Sequence, residues 1–103
     1  MGVKENGGRR QTIILRAIAA ALSPLARSRP GWSLSATREQ IILRGPGGDV
    51  LTFSLTHQTR DDRFGVWVAR GADASKAITS IGPRDDPDEV ATQVIAPWTE
   101  AAL

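Results

Sequence analysis

The residues that could perform acid–base chemistry are gathered around the single histidine, His57. Asp61 and Asp62 follow it by four and five positions, close enough across a loop to orient an imidazole ring. Ser54 and Thr56 are the nearby hydroxyl side chains that could act as nucleophiles. Strand alternation puts both hydroxyls on the opposite face from His57, and no Gly-x-Ser-x-Gly turn exposes a serine. We therefore expect His57 to be a strand-end residue, and no catalytic residue is predicted.

Carboxylates are grouped at two places that could hold a metal ion. One is Asp61 with Asp62, and the other is a run made of Asp85, Asp86, Asp88 and Glu89. A calcium loop needs oxygen ligands at alternating positions around a glycine, whereas this run continues through Pro87 into a predicted helix. Acidic residues suit the first turn of a helix electrostatically, which explains the run without a metal. No metal site is predicted.

The glycine-rich segments do not have the order of a phosphate-binding loop. Residues 45–48 precede a strand rather than a helix, and residues 71–76 lack the glycine before lysine that a Walker loop requires. The chain has no cysteine, which excludes disulfides, a thiol nucleophile and cysteine-ligated metals. We expect a protein that is not an enzyme, uses no cofactor and has no evident small-molecule substrate.

An N-terminal helix is predicted by apolar residues that recur every three or four positions, namely Ile14, Ile18, Leu22 and Leu25. The helix should run from residue 9 to the vicinity of Pro24, because proline lacks an amide donor and clashes with the preceding turn. Residues 1–8 show no periodicity and are predicted to form a flexible arm. The remaining residues, 9–103, are too few for two domains and should form one.

The apolar period changes to two after Pro30 and Gly31, which is typical of β-strands. Alternating stretches lie at residues 32–37, 51–56 and 64–69, residues 39–44 supply the apolar run Ile41-Ile42-Leu43, and residues 76–81 are a weaker candidate for a short edge strand. Asp86 and Pro87 then have the order of a helix N-cap and first helical residue. The prediction is an α+β domain with an N-terminal helix, an antiparallel meander sheet of three to four strands, and a C-terminal helix. The helices should pack on one face of the sheet.

The formal charge of +2 conceals an uneven distribution along the chain. Residues 1–44 carry eight basic and two acidic side chains, whereas residues 45–103 carry five basic and nine acidic ones. One hypothesis is nucleic-acid binding, with phosphates contacted by Arg9, Arg10, Arg16, Arg27 and Arg29. Another is that the basic end of the chain meets the acidic end of a second copy or of a partner protein.

Trp67 is out of phase with its apolar neighbours on the predicted strand, Phe64, Val66 and Val68, and Ile42 can share its face. If the helices cover the Phe64 face, Trp67 and Ile42 become interface anchors; if both faces are covered, Trp67 belongs to the core. We expect Arg9 and Arg10 to contribute to the same interaction.

The leading hypothesis is a small non-enzymatic protein-interaction module. It would be a subunit or accessory component of a larger protein assembly, such as a particle or secretion apparatus, bound to a partner protein or to copies of itself. Nucleic-acid binding is the alternative. Arg16 interrupts the apolar run that follows Arg9 and Arg10, which leaves no convincing signal peptide or membrane-spanning segment. The expected location is the cytoplasm or the interior of an assembly.

Overall fold

The computed structural model describes residues 2–103, with side chains described from residue 8 onward. Met1, part of the predicted arm, lies outside the described residues. Within this range the elements are α1 (Gly2–Ser28), β1 (Ser33–Ala36), β2 (Gln40–Arg44), β3 (Val50–Gln58), β4 (Arg63–Arg70), β5 (Lys76–Ile81), α2 (Pro87–Val90) and α3 (Ala96–Ala102). A short 3-10 turn, Pro46–Gly48, joins β2 to β3, and a π-helical stretch, Ala91–Ile95, joins α2 to α3.

The strands described between residues 33 and 81 form one five-stranded antiparallel sheet, in the order β1-β2-β3-β4-β5. This meander, with a helix before and after it, confirms the predicted α+β class. The sheet has one strand more than the three to four predicted, because the weak pattern at residues 76–81 does form β5. The register between β4 and β5 shifts between Val66 and Trp67.

Helix α1 is longer than predicted at both ends and continues through Pro24 to Ser28. Pro24 itself is exposed, and the turn that follows it buries Ala26 and packs the half-buried Leu25 on the core. That burial favours a continued helix, although proline removes a hydrogen bond. The predicted arm overlaps the start of α1, and its flexibility stays a prediction. In residues 2–103, no helix combines the length and the apolar character needed to cross a membrane.

The core lies between the helices and one face of the sheet, which we call the inner face. Helix α1 contributes Ile14, Ile18 and Leu22, each at most 1% exposed. The inner face contributes Ile41, Leu43, Leu51, Phe53, Phe64, Val66, Val68 and Ile81. The inner residues of β2, β3 and β4 obey the alternation seen in the sequence, so the period of two correctly identified which side of these strands is buried; Ile81 of β5 follows no such alternation.

The C-terminal helical segment begins, as predicted, with Asp86 as its N-cap. The carboxylate of Asp86 accepts a hydrogen bond of 3.0 Å from the backbone N–H of Asp88. Farther along, Ile95 and Thr99 are buried, and the Thr99 hydroxyl donates to the Ile95 carbonyl at 2.7 Å. Pro97 does not end the segment, because it lies in the first turn of α3, where its missing N–H is not required.

A substitution at Phe53 tests whether the inner face of the sheet is assigned correctly, because the Phe53 side chain is 0% exposed. We expect Phe53→Ala to lower the free energy of unfolding by about 3–5 kcal/mol, measured by urea denaturation. Ser54→Ala, one residue farther on the opposite face, is the matched control and should change it by less than about 0.5 kcal/mol. Similar losses in the two variants would contradict the assignment of faces.

Candidate functional site

The sheet face that points away from the helices, the outer face, combines hydroxyl groups with two large apolar side chains. Its central part is formed by Gln40, Ile42, Arg44, Thr52, Ser54, Thr56, Arg63, Gly65, Trp67 and Ala69. Inward neighbours such as Ile41 and Phe53 are 0% exposed. The other residues of the outer face, in contrast, keep partial or full access to solvent, and only Gly65, which has no side chain, is buried. No acidic residue is present in this group; of its two arginines, Arg63 lies 3.8 Å from the Asp85 carboxylate, and Arg44 forms no ion pair among the described side chains.

Trp67 is held in one orientation by its neighbours on the outer face. Its indole Nε1–H donates to the hydroxyl of Thr56 at 2.8 Å. A Cβ atom at position 65 would lie 3.1 Å from that indole nitrogen and 2.9 Å from the Thr56 hydroxyl, so Gly65 leaves the room that the two groups need. Trp67 is therefore a half-buried residue of the outer face, and not part of the core between helices and sheet.

Ile42 shares the outer face with Trp67 but does not pair with it. It pairs with Thr52, and Thr52 pairs with Ala69, whereas Trp67 pairs with Ser54. Ile42 and Trp67 are thus two strands and two residues apart, or about 12 Å between their Cα atoms. The two apolar groups are half-buried and frame a small polar area between them.

Arg10, by contrast, connects α1 to the β3–β4 hairpin on the inner side. Its guanidinium donates to both the carboxylate and the backbone carbonyl of Asp62, each at 2.7 Å. Asp62 Oδ1 is also 2.9 Å from His57 Nε2, and the His57 ring stacks on Phe64 with centroids 4.3 Å apart. Arg10 lies 5.0 Å from the centre of the same phenyl ring. Arg10 is occupied within the chain, so an external partner would have to compete for it.

This cluster determines the protonation of Asp62. The hydrogen bond with His57 lowers the pKa of the Asp62 carboxyl below its ordinary value of 3.8; desolvation opposes the shift, and the positive charge of Arg10 reinforces it. An ionised carboxylate is an acceptor only, so His57 Nε2 is the donor of their hydrogen bond. Ser54 and Thr56 lie on the outer face, away from His57. The candidate triad is therefore not brought together, and the cluster acts as a bridge between helix and hairpin.

The five arginines considered for nucleic-acid binding are separated by the fold. Arg9, Arg16 and Arg27 are exposed and follow one line on the solvent side of α1, within about 20° of each other around the helix axis. Arg10 is held by Asp62, and the half-buried Arg29 lines a groove that also contains Glu100. The exposed row thus contains three of the five guanidinium groups, at intervals of about 10 and 16 Å.

The carboxylate groups have local structural roles. Asp86 caps α2, and Asp85 accepts a hydrogen bond of 2.8 Å from the backbone N–H of Gly82 and lies 3.8 Å from the Arg63 guanidinium. Among the residues whose side chains are described, no three histidine, aspartate or glutamate groups are arranged to hold a metal ion. Asp88 and Glu89 remain exposed at the start of α2.

A groove that the sequence did not suggest lies between α1 and the β1–β2 corner. Its volume is about 470 Å³, and its lining includes Leu15, Arg16, Ala19, Arg38 and Ile41. Arg38 was not predicted as a site residue because it stands in a turn without any motif around it. Only the crossing of α1 over the sheet brings it beside Arg16, which is 22 positions earlier in the chain.

No family model, no curated protein and no solved structure matches this chain. The function is therefore inferred from its own surfaces.

Asp62→Asn tests the bridge between α1 and the hairpin, since asparagine keeps the shape and tolerates the φ of 53° at this position. The lowered pKa means that the carboxylate stabilises the fold above about pH 4 and loses this effect as the pH falls through its folded-state pKa. We expect Asp62→Asn to lower the urea midpoint at neutral pH, with a difference from the parent chain that shrinks under acid. Asp61→Asn is the matched control. A difference that is independent of pH would contradict this account.

Proposed function

We propose that this protein is a non-enzymatic protein-interaction module, a subunit or accessory component of a larger protein assembly. A partner protein would dock on the outer face of its sheet. The observation that carries this proposal is a half-buried tryptophan, held by Thr56 and Gly65, at the middle of a sheet face that no helix of residues 2–103 covers.

The fixed indole is what makes this face suited to protein recognition. Trp67 already has one orientation, so binding costs little further side-chain entropy. Tryptophan is also among the residues that contribute most to binding energy when an interface buries them. Around it, the hydroxyls of Thr52 and Ser54 can exchange water for hydrogen bonds with a partner.

The same face indicates the chemistry of the partner. Because the centre of this face extends from Trp67 to Ile42, the partner should present apolar side chains there. Arg44, exposed at the end of β2 and on the same face, calls for a carboxylate at the edge of the contact. Of the two arginines predicted to join the interface, Arg9 is exposed on the solvent side of α1, away from the outer face, and Arg10 is already bound to Asp62. Neither arginine is therefore included in the proposed contact.

A crosslinking experiment tests the outer face directly. Because the chain has no cysteine, Gln40→Cys provides a single thiol for a photo-reactive benzophenone. Gln40 is exposed and is two strands from Trp67 on the same row of the sheet. In an extract of the native source, we expect one discrete protein adduct, and a Trp67→Ala change should weaken its formation about thirtyfold.

The control places the same probe at Thr92, which is exposed on the helical side of the protein. Trp67→Phe, which keeps a ring but not the hydrogen bond with Thr56, should have an intermediate effect. Thermal unfolding followed by circular dichroism establishes that each variant is folded. The same adduct at Thr92, or an adduct that is insensitive to Trp67→Ala in folded protein, would overturn the proposal.

Nucleic-acid binding is the second candidate, and the exposed row of Arg9, Arg16 and Arg27 is the observation that favours it. The described segment from residue 8 to residue 31 contains no acidic side chain to compete with phosphate. The acidic residues at the start of α2 act against it, since they repel a polyanion that approaches from that side.

Salt dependence tests this second candidate. Three phosphate contacts predict that the logarithm of the binding constant for duplex DNA falls with the logarithm of salt concentration with a slope of about −2.7. The double variant Arg9→Ala with Arg27→Ala should reduce the slope to about −0.9, measured by fluorescence anisotropy. Arg60→Ala, an exposed loop arginine outside the row, is the control. No binding at low salt would exclude this function.

A further inference from the structure

The groove between α1 and the β1–β2 corner has an apolar floor and a basic rim. Leu15 and Ile41 are buried at its base, while Arg16 and Arg38 are exposed beside it. The Gln11 side chain donates a hydrogen bond of 3.4 Å to the backbone carbonyl of Arg38, which ties α1 to this corner. Among the described side chains, neither guanidinium forms an ion pair. The groove is thus suited to a segment that offers carboxylates next to apolar side chains.

A surface of that composition is present on the same chain. At the start of the C-terminal helical segment, Glu89 and Asp86 line a shallow depression of about 280 Å³ together with Val90 and Val94, and Arg84 lies at the same depression. Val94 is 40% exposed, which makes it one of the two most exposed large apolar residues described. Asp88 is exposed in the same segment. We call Asp86, Asp88, Glu89, Val90 and Val94 the acidic patch, and its three carboxylates outnumber the one guanidinium of Arg84 beside it.

The groove and the acidic patch lie on opposite flanks of α1. Leu15 and Ala19 face the β1–β2 side, whereas Ala21 and Leu25 face α3, and α2 also packs against α1. One molecule therefore cannot bring its own patch to its own groove. Two copies can do so, and the second copy keeps a free patch or a free groove at its outer end.

We infer that the groove binds the acidic patch of a second copy of this chain, so that copies associate head to tail. Arg16 and Arg38 pair with Asp88 and Glu89 of the neighbour, and Val94 of the neighbour covers the apolar floor. Because the two contacting surfaces differ, the contact is heterologous, and it either closes into a ring or continues as a row of copies. This self-association uses surfaces other than the outer face, so it stands or falls independently of the proposed partner.

Charge reversal tests this contact without disturbing the core. The groove variant is Arg16→Glu with Arg38→Glu, and the patch variant is Asp88→Lys with Glu89→Lys; all four side chains are exposed. In sedimentation equilibrium at low salt, the mean mass of the parent chain should rise with concentration. Each variant alone should have an apparent dissociation constant at least tenfold larger. An equimolar mixture should associate again, because an intact groove then meets an intact patch.

Three controls make the result specific. Arg60→Glu and Asp73→Lys reverse exposed charges outside both surfaces and should leave the self-association unchanged. Trp67→Ala should also leave it unchanged, which separates it from docking on the outer face. Circular dichroism melting verifies that the groove and patch variants are folded. A parent chain that stays monomeric at millimolar concentration, or a mixture of folded variants that does not associate, would overturn the inference.

Discussion

The packing of one apolar stripe of α1 on one face of the sheet is the constraint on which the other features depend. Ile14, Ile18 and Leu22 point into the same core as Phe53 and Phe64, and all five are at most 1% exposed. A chain of 103 residues has few further elements with which to cover a five-stranded sheet. The C-terminal helical segment completes the layer over β5, and the second face of the sheet keeps no helix among residues 2–103.

Because helices cover only one face of the sheet, the outer face is in contact with water. The hydroxyl side chains of β3 can form hydrogen bonds with that water. Trp67 and Ile42 are the exceptions on this face, and a large apolar ring such as that of Trp67 gains little by exposure to solvent. The fold reduces this cost by means of Gly65 and the Thr56 hydroxyl, which cover part of the indole and bind its polar nitrogen. This ordered but accessible tryptophan is the feature on which the proposed docking of a partner rests.

The part of this structure that could be predicted is the part that depends on local sequence patterns. The element order, the inner residues of β2, β3 and β4 and the Asp86 cap all follow from spacings within a few residues. The features that were missed depend on burial or on distant contacts. Helix α1 continues past Pro24 because Ala26 is buried in the core. Arg10 binds Asp62, which is 52 positions away in the chain. A short stretch of sequence does not include both partners of either contact, so no local pattern can reveal it. The same is true of Arg16 and Arg38, which meet at one groove.

The uneven charge of the chain acquires a different meaning once the fold is known. Counted along the sequence, the basic half indicates a polyanion as partner. In three dimensions, Arg10 is neutralised by Asp62, and Arg9, Arg16 and Arg27 form the solvent row of α1, from which Arg16 also borders the groove. The acidic residues 85–89 are on the other flank of the same helix, beside exposed apolar surface. Opposite charges lie on opposite flanks of one small domain, where a single molecule cannot bring them together, and this separation is the basis of the head-to-tail contact that we infer between copies.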